Sequence, residues 1–161
     1  CSHTDELPDT PTTPLRPVAE GRRRLPDDGT EQTYVQSVDW RWLNDILNSE
    51  VAECWVRPLV DLVAGEQITA AQRLFSVADI ANGMGSRLTP GEWTFLNTDL
   101  AVHTHPMPEG QWIGVRAESH YGRDGIGVSS GSLFDETGPV AVIQQAQLVR
   151  QVDVRRGRAL P

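Results

Sequence analysis

Thr69-Ala70-Ala71-Gln72-Arg73-Leu74-Phe75-Ser76-Val77-Ala78-Asp79-Ile80-Ala81-Asn82-Gly83-Met84 carries apolar residues at Ala70, Leu74, Val77, Ala78 and Ala81. That spacing places them near one face of a helix. Thr69 is suited to cap its start, and Gly83, Gly85 and Pro90 mark its end. One helix over 69–84 is therefore predicted, and everything around it reads as strand. Tyr34 to Trp42 alternates apolar and polar residues of β-rich type, the period of a half-buried strand. Ala52 to Val56 reads as a second strand, stopped by Pro58, and Gly65 to Gln67 as a turn.

Four more strands are predicted after the helix: Trp93 to His103, Trp112 to His120, Gly127 to Phe134 and Pro139 to Gln151. They are separated by a loop with Pro106, Pro108 and Gly110, by the turn Arg123-Asp124-Gly125, and by the turn Asp135-Glu136-Thr137-Gly138. Three successive hairpins would make a meander. A single helix must then cover the face of that sheet. The expected class is α+β, a curved antiparallel β-sheet wrapped around one central helix.

Composition divides the 161 residues into three parts. Residues 1–32 hold Pro8, Pro11, Pro14, Pro17 and Pro26, no Trp or Phe, and a dense mix of acids, Thr and Arg. They read as a Pro-rich linker or disordered leader, with Arg22-Arg23-Arg24 as a solvated charge run. Residues 33–152 form the domain, and 153–161 an Arg-rich tail. The 14 basic residues are all Arg, against 22 acids, for a net charge of −8. The absence of Lys excludes a Schiff-base or P-loop lysine. The acidic balance argues against nucleic acid as a partner. No apolar run approaches the roughly 18 residues of a membrane-spanning helix. Cys54, in an apolar run, is expected as a buried small residue. Cys1 reads either as a lipidation site or as the start of a fragment.

Several stretches together carry a resemblance. These are Phe75 to Gly83, Glu92 to His103 with Gln111-Trp112, Gly125-Ile126-Gly127, Leu133 to Pro139, and Gln144 to Arg150. In this order and spacing they resemble the C-terminal half of thioesterase-like double-hot-dog proteins, the family of acyl-CoA thioesterase II. The resemblance covers roughly residues 33–152 and implies a hot-dog fold. It also implies hydrolysis of acyl-CoA or a related acyl thioester, by a water that an Asp, a Thr and a Gln orient, without metal or cofactor. The family Asp, on the hot-dog helix, corresponds to Asp79. The family Gln, five residues before an Arg on the last strand, corresponds to Gln145, with Arg150 following. The Thr position falls, with a one-residue gap, on Asn97, beside Thr98. The N-terminal hot-dog unit of the family has no counterpart in this sequence, and the leader resembles the linker that would join two halves.

The residue types suit that chemistry. A carboxylate such as Asp79, among apolar neighbours that favour its burial, can hold a water and accept its proton. An amide such as Gln145 both donates and accepts, so it can orient the same water. Asn97 and Thr98 point to opposite faces of a strand, so one of them can supply a third contact. A backbone N–H near the helix start is expected to hold the oxyanion. Two readings follow: an acyl-CoA thioesterase of cytoplasmic lipid metabolism, or a non-catalytic hot-dog module that binds an acyl ligand or is a detached half of a larger enzyme. A lone unit would leave an edge strand and an apolar seam open, which predicts a homodimer or pairing with a second hot-dog unit. His103, His105 and His120 are read as structural, Ser129 and Ser130 lack a nucleophile-elbow context, and the five Trp are read as core and interface anchors.

Overall fold

The structure, a computed structural model, describes residues 13–25, 33–46, 48–89 and 91–152. Cys1 and the 153–161 tail lie outside the described residues. Thr69 caps the helix as expected: its Oγ1 accepts from the Gln72 N–H at 3.2 Å, while Gln72 Oε1 accepts from the Thr69 N–H at 2.8 Å. Helix α2 (Ala70–Ala78) buries Leu74, Val77 and Ala78.

The predicted single helix is broken. After α2 comes a turn at Asp79-Ile80, then α3 (Ala81–Met84); α1, described below, precedes both. The reason is a contact with the last strand. The Asn82 N–H, which would continue the helical ladder, donates instead to Gln145 Oε1 at 3.0 Å. Upstream of it the Ile80 N–H takes the nearer Val77 carbonyl at 3.2 Å, a tightened turn.

The described residues contain eight strands in one antiparallel sheet. They are β1 (Arg22–Arg23), β2 (Val38–Trp42), β3 (Ala52–Pro58), β4 (Trp93–Asn97), β5 (Ala101–Thr104), β6 (Ile113–Tyr121), β7 (Ile126–Phe134) and β8 (Pro139–Gln151). Their order is β1-β2-β3-β6-β7-β8-β4, with β5 also pairing with β8. The inner face presents Val38, Trp40, Cys54, Val56, Val115, Leu133 and Ile143 to Leu74, Val77, Ala81 and Met84 in one core. Trp40 and Trp42 stack with their rings 5.6 Å apart.

Five more expectations need correction. Tyr34 to Trp42 is not one strand: Thr33–Gln36 forms a short helix, α1, and the strand starts at Val38. Trp40 Nε1 donates to the Val35 carbonyl at 3.0 Å, which folds the preceding turn back on the strand. The strand expected over 93–103 is split into β4 and β5. Asp99 Oδ1 accepts from the Ala146 N–H at 2.6 Å, so a side chain replaces backbone in the ladder there.

The meander is also incomplete. The first predicted hairpin does not form; β4 and β5 pair with β8, while β6 pairs with β3 and β7. Ile113, Gly114 and Val115 are buried on both sheet faces, which suits a central strand, whereas β4 is mostly exposed and suits an edge.

Finally, residues 13–25 of the stretch read as a leader pack on the outer face of the sheet. Leu15 is buried with Leu43, Trp55 and Phe134. Trp55 Nε1 donates to the Arg16 carbonyl at 2.7 Å, and Arg116 donates to the carbonyls of Thr13 and Pro14 at 3.1 and 3.3 Å. Gly114 permits the approach, because a Cβ there would lie 2.5 Å from Leu15 Cδ2. Prolines lower the entropy lost on ordering, so Leu15, with Val18 packed against the same cluster, and a few hydrogen bonds hold the segment. Arg22 and Arg23 are exposed but form strand β1 rather than a free charge run.

The turn after β7 is tied by Asp135. Its Oδ1 accepts from the Thr137 N–H at 2.8 Å, the Thr137 hydroxyl at 2.6 Å and the Gly138 N–H at 3.0 Å, and its Oδ2 from the Glu109 N–H at 3.0 Å. Burial opposes ionisation, but these bonds outweigh it and hold the carboxyl below its ordinary value. The stabilisation is therefore present at neutral pH and is lost as pH falls through the lowered value. Asp135→Ala is expected to destabilise by about 1–3 kcal/mol at pH 7. Urea unfolding at pH 7 and in acid should show the difference shrinking below about pH 4.

Candidate active site

Three chain segments meet at one carboxylate oxygen. Asp79, in the turn between α2 and α3, accepts at Oδ1 from Gln145 Nε2 of β8 at 2.7 Å. The same Oδ1 accepts from Asn97 Nδ2, the last residue of β4, at 2.8 Å. Gln145 is buried, with 1% of its surface exposed. Its amide orientation is set by chemistry: the Asn82 backbone N–H can only donate, so Oε1 must face it and Nε2 must face Asp79. Asp79 Oδ2 has no hydrogen-bond partner among the described residues.

Asp79, Gln145 and Asn97 are thus brought together, and Thr98 is not. The Thr98 hydroxyl and N–H both donate to the Ala146 carbonyl, at 3.3 and 2.8 Å. Strand alternation separates the neighbours: Asn97 pairs with Gln147 on the helix-facing side. Two expectations fail. Asp79 is exposed rather than buried, because the helix turns it outward beside the free edge of β4 while Val77, Ala78 and Ala81 face the core. The start of the helix cannot serve an oxyanion at Asp79 either. Thr69 lies ten residues upstream, about 15 Å along a helix axis, and its capping box occupies that turn.

Sequence reasoning missed two neighbours. Tyr34 donates its hydroxyl to the Ser76 carbonyl at 2.8 Å. Burial pushes its hydroxyl pKa up, and the Asp79 carboxylate adds to this, so it is a neutral donor. Gln147, in register with Asn97, is also buried; its Nε2 donates to Ser129 Oγ at 2.6 Å. Its position two residues after Gln145 was legible as the same face, but its partner across the sheet was not. Cys54 is fully buried, which holds its thiol well above the ordinary pKa, so it is no nucleophile. His103, His105 and His120 are exposed, and among the described residues no group of three or more His, Cys, Asp or Glu is placed to hold a metal ion.

The fold is that of solved hot-dog proteins. A Thermobifida fusca protein assigned as a thioesterase II superposes with a TM-score of 0.68 at 21% identity, over 92% of this chain and 57% of that one. The acyl-CoA thioesterase II TesB2 of Mycobacterium marinum gives 0.61 at 18% identity, over 95% and 59%. A hot-dog protein of unknown function from Alicyclobacillus acidocaldarius gives 0.61 at 16%, over 93% and 57%. The chain therefore spans under three-fifths of the length of these structures. No curated protein matches it. The model of the acyl-CoA thioesterase C-terminal domain matches residues 5–149, and the chain belongs to that family. The match reaches into the Pro-rich N-terminal stretch, consistent with the packing of residues 13–25.

Proposed function

We propose that this domain hydrolyses an acyl thioester, acyl-CoA or a close relative, within cytoplasmic lipid metabolism. The observation that carries the reading is the convergence of Gln145 and Asn97 on Asp79 Oδ1, which leaves Oδ2 for a water. Oδ2 takes the proton as the water oxygen bonds to the thioester carbon. The second N–H of Asn97 is available to the developing oxyanion. Collapse of the tetrahedral intermediate breaks the C–S bond, and Asp79 returns the proton to the leaving thiolate. Gln145, locked by the Asn82 backbone, keeps the carboxylate in one orientation. Among the described residues no helix is long and apolar enough to cross a membrane.

Pairing completes the picture. Asp79 and Asn97 are exposed in the single chain, beside the free edge of β4, where Leu96 is 69% exposed. A second hot-dog unit against that edge, a homodimer partner or a separate half, would enclose the site and cover the strand. That same openness favours the second reading, a half that binds but does not react until paired.

The test is release of free thiol from short-, medium- and long-chain acyl-CoA, with the protein's oligomeric state followed by sedimentation. Hydrolysis by the paired form is expected. Asn97→Ala should lower kcat by about ten- to a hundredfold, and Thr98→Val should leave it within about twofold. Absence of hydrolysis by folded, paired protein would defeat the enzymatic reading, and a stable monomer at micromolar concentration would defeat the pairing.

A further inference from the structure

On the outer face, three arginines share one buried acid. Asp39 is 4% exposed. Arg41 Nη2 and Arg57 Nη2 lie 3.2 and 3.3 Å from its Oδ2, and Arg23 Nε lies 3.5 Å from Oδ1. Cross-strand register builds the cluster: Asp39 faces Arg57 across β2 and β3, and Arg23 faces Arg41 across β1 and β2. Arg57 and Arg41 also lie over the Trp112 ring, 4.8 and 5.8 Å from its centre. One carboxylate cannot balance three guanidiniums, so two positive charges remain uncompensated among the described residues, in a chain of net charge −8. Arg57 Nε is buried with no hydrogen-bond partner among the described residues.

Beside the cluster lies a hollow of about 330 Å³, with Arg23, Arg24, Leu25, Gln36, Asp39 and Leu59 in its walls. That is within the range of small-ligand sites. Helix α1 connects it to the candidate active site. Tyr34 bonds the Ser76 carbonyl, three residues before Asp79, while Gln36 lines the hollow.

We propose that Arg23 and Arg24 in the hollow, with Arg41 and Arg57 beside them on Asp39, bind the phosphate groups of a nucleotide, as carried by the CoA end of the substrate. The guanidinium fork matches phosphate oxygens, and the pairs with Asp39 and the stack on Trp112 fix the forks in advance. Arg23 and Arg24 line the hollow, and Arg41 and Arg57 meet Asp39 in its wall, so the charge is gathered at one place, which suits a small polyanion better than a nucleic-acid strand. The CoA assignment rests on the acyl-thioester reading above; phosphate recognition itself does not.

The probe is 3′,5′-adenosine bisphosphate, titrated into the full chain by calorimetry and by tryptophan fluorescence. Binding is expected, weakened about tenfold or more by Arg23→Ala and by Arg57→Gln. Should Arg57→Gln fail to fold, Arg23→Ala, on the exposed edge strand, decides alone. With acyl-CoA, Arg23→Ala should raise KM about tenfold at unchanged kcat. With the matching acyl-pantetheine thioester, which lacks the nucleotide, neither constant should move. No binding of the bisphosphate, or equal binding by the Arg23→Ala variant, overturns the site. Inorganic phosphate binding as tightly as the bisphosphate, or equal KM effects on both thioesters, overturns the assignment to CoA. If no thioester is hydrolysed, the acyl-thioester reading falls while the calorimetric result still decides the phosphate site.

Discussion

Asp79→Asn is expected to lower kcat for acyl-thioester hydrolysis by about 10²- to 10⁴-fold with little change in thermal midpoint. The substitution separates two roles of the same side chain. An amide oxygen can still accept from Gln145 Nε2 and Asn97 Nδ2, so the geometry at Oδ1 is preserved. What disappears is the second carboxylate oxygen, the one group there able to take a proton from water. Asp79 is exposed, so the change leaves no buried charge uncompensated. Steady-state kinetics with thermal unfolding in parallel checks both parts. Near-wild-type kcat would remove Asp79 from the chemistry; a large loss of stability would make it a structural residue.

Leu74→Ala should cost about 2–5 kcal/mol of unfolding free energy. Leu74 has no exposed surface and sits in the core between α2 and the inner face of the sheet. Its neighbour Phe75 is 53% exposed on the other side of α2. Phe75→Ala should therefore change the stability of the unpaired chain by no more than about 0.5 kcal/mol. Urea denaturation of the two variants measures the contrast. Equal losses would mean that α2 is rotated relative to the arrangement described here.

Local patterns carried most of the elements. The spacing of Leu74, Val77 and Ala78, with Thr69 ahead, was enough to place α2, and Pro58 and the turn residues between strands were enough to bound β3, β6, β7 and β8. The pairing order was not legible. A period of two says that Trp93 to Asn97 is extended, but not that its neighbour is β8, whose paired residues run from Gln147 to Gln151. Residues 13–25 were misread for a related reason. Composition counts apolar residues within a segment, and it cannot see that Leu15 meets Trp55 and Phe134 from distant strands.

The candidate site divides along the same line. The family resemblance selected Asp79, Gln145 and the Asn97-Thr98 pair, because the motifs that carry it are written along the chain. The choice of Asn97 over Thr98, the break that turns Asp79 outward, and the gathering of Arg23, Arg41 and Arg57 on Asp39 arise from contacts between separate segments. Each depends on distances of about 3 Å across the sheet or between helix and sheet. Such distances are set only when the strands have found their register and the core has closed on the helix.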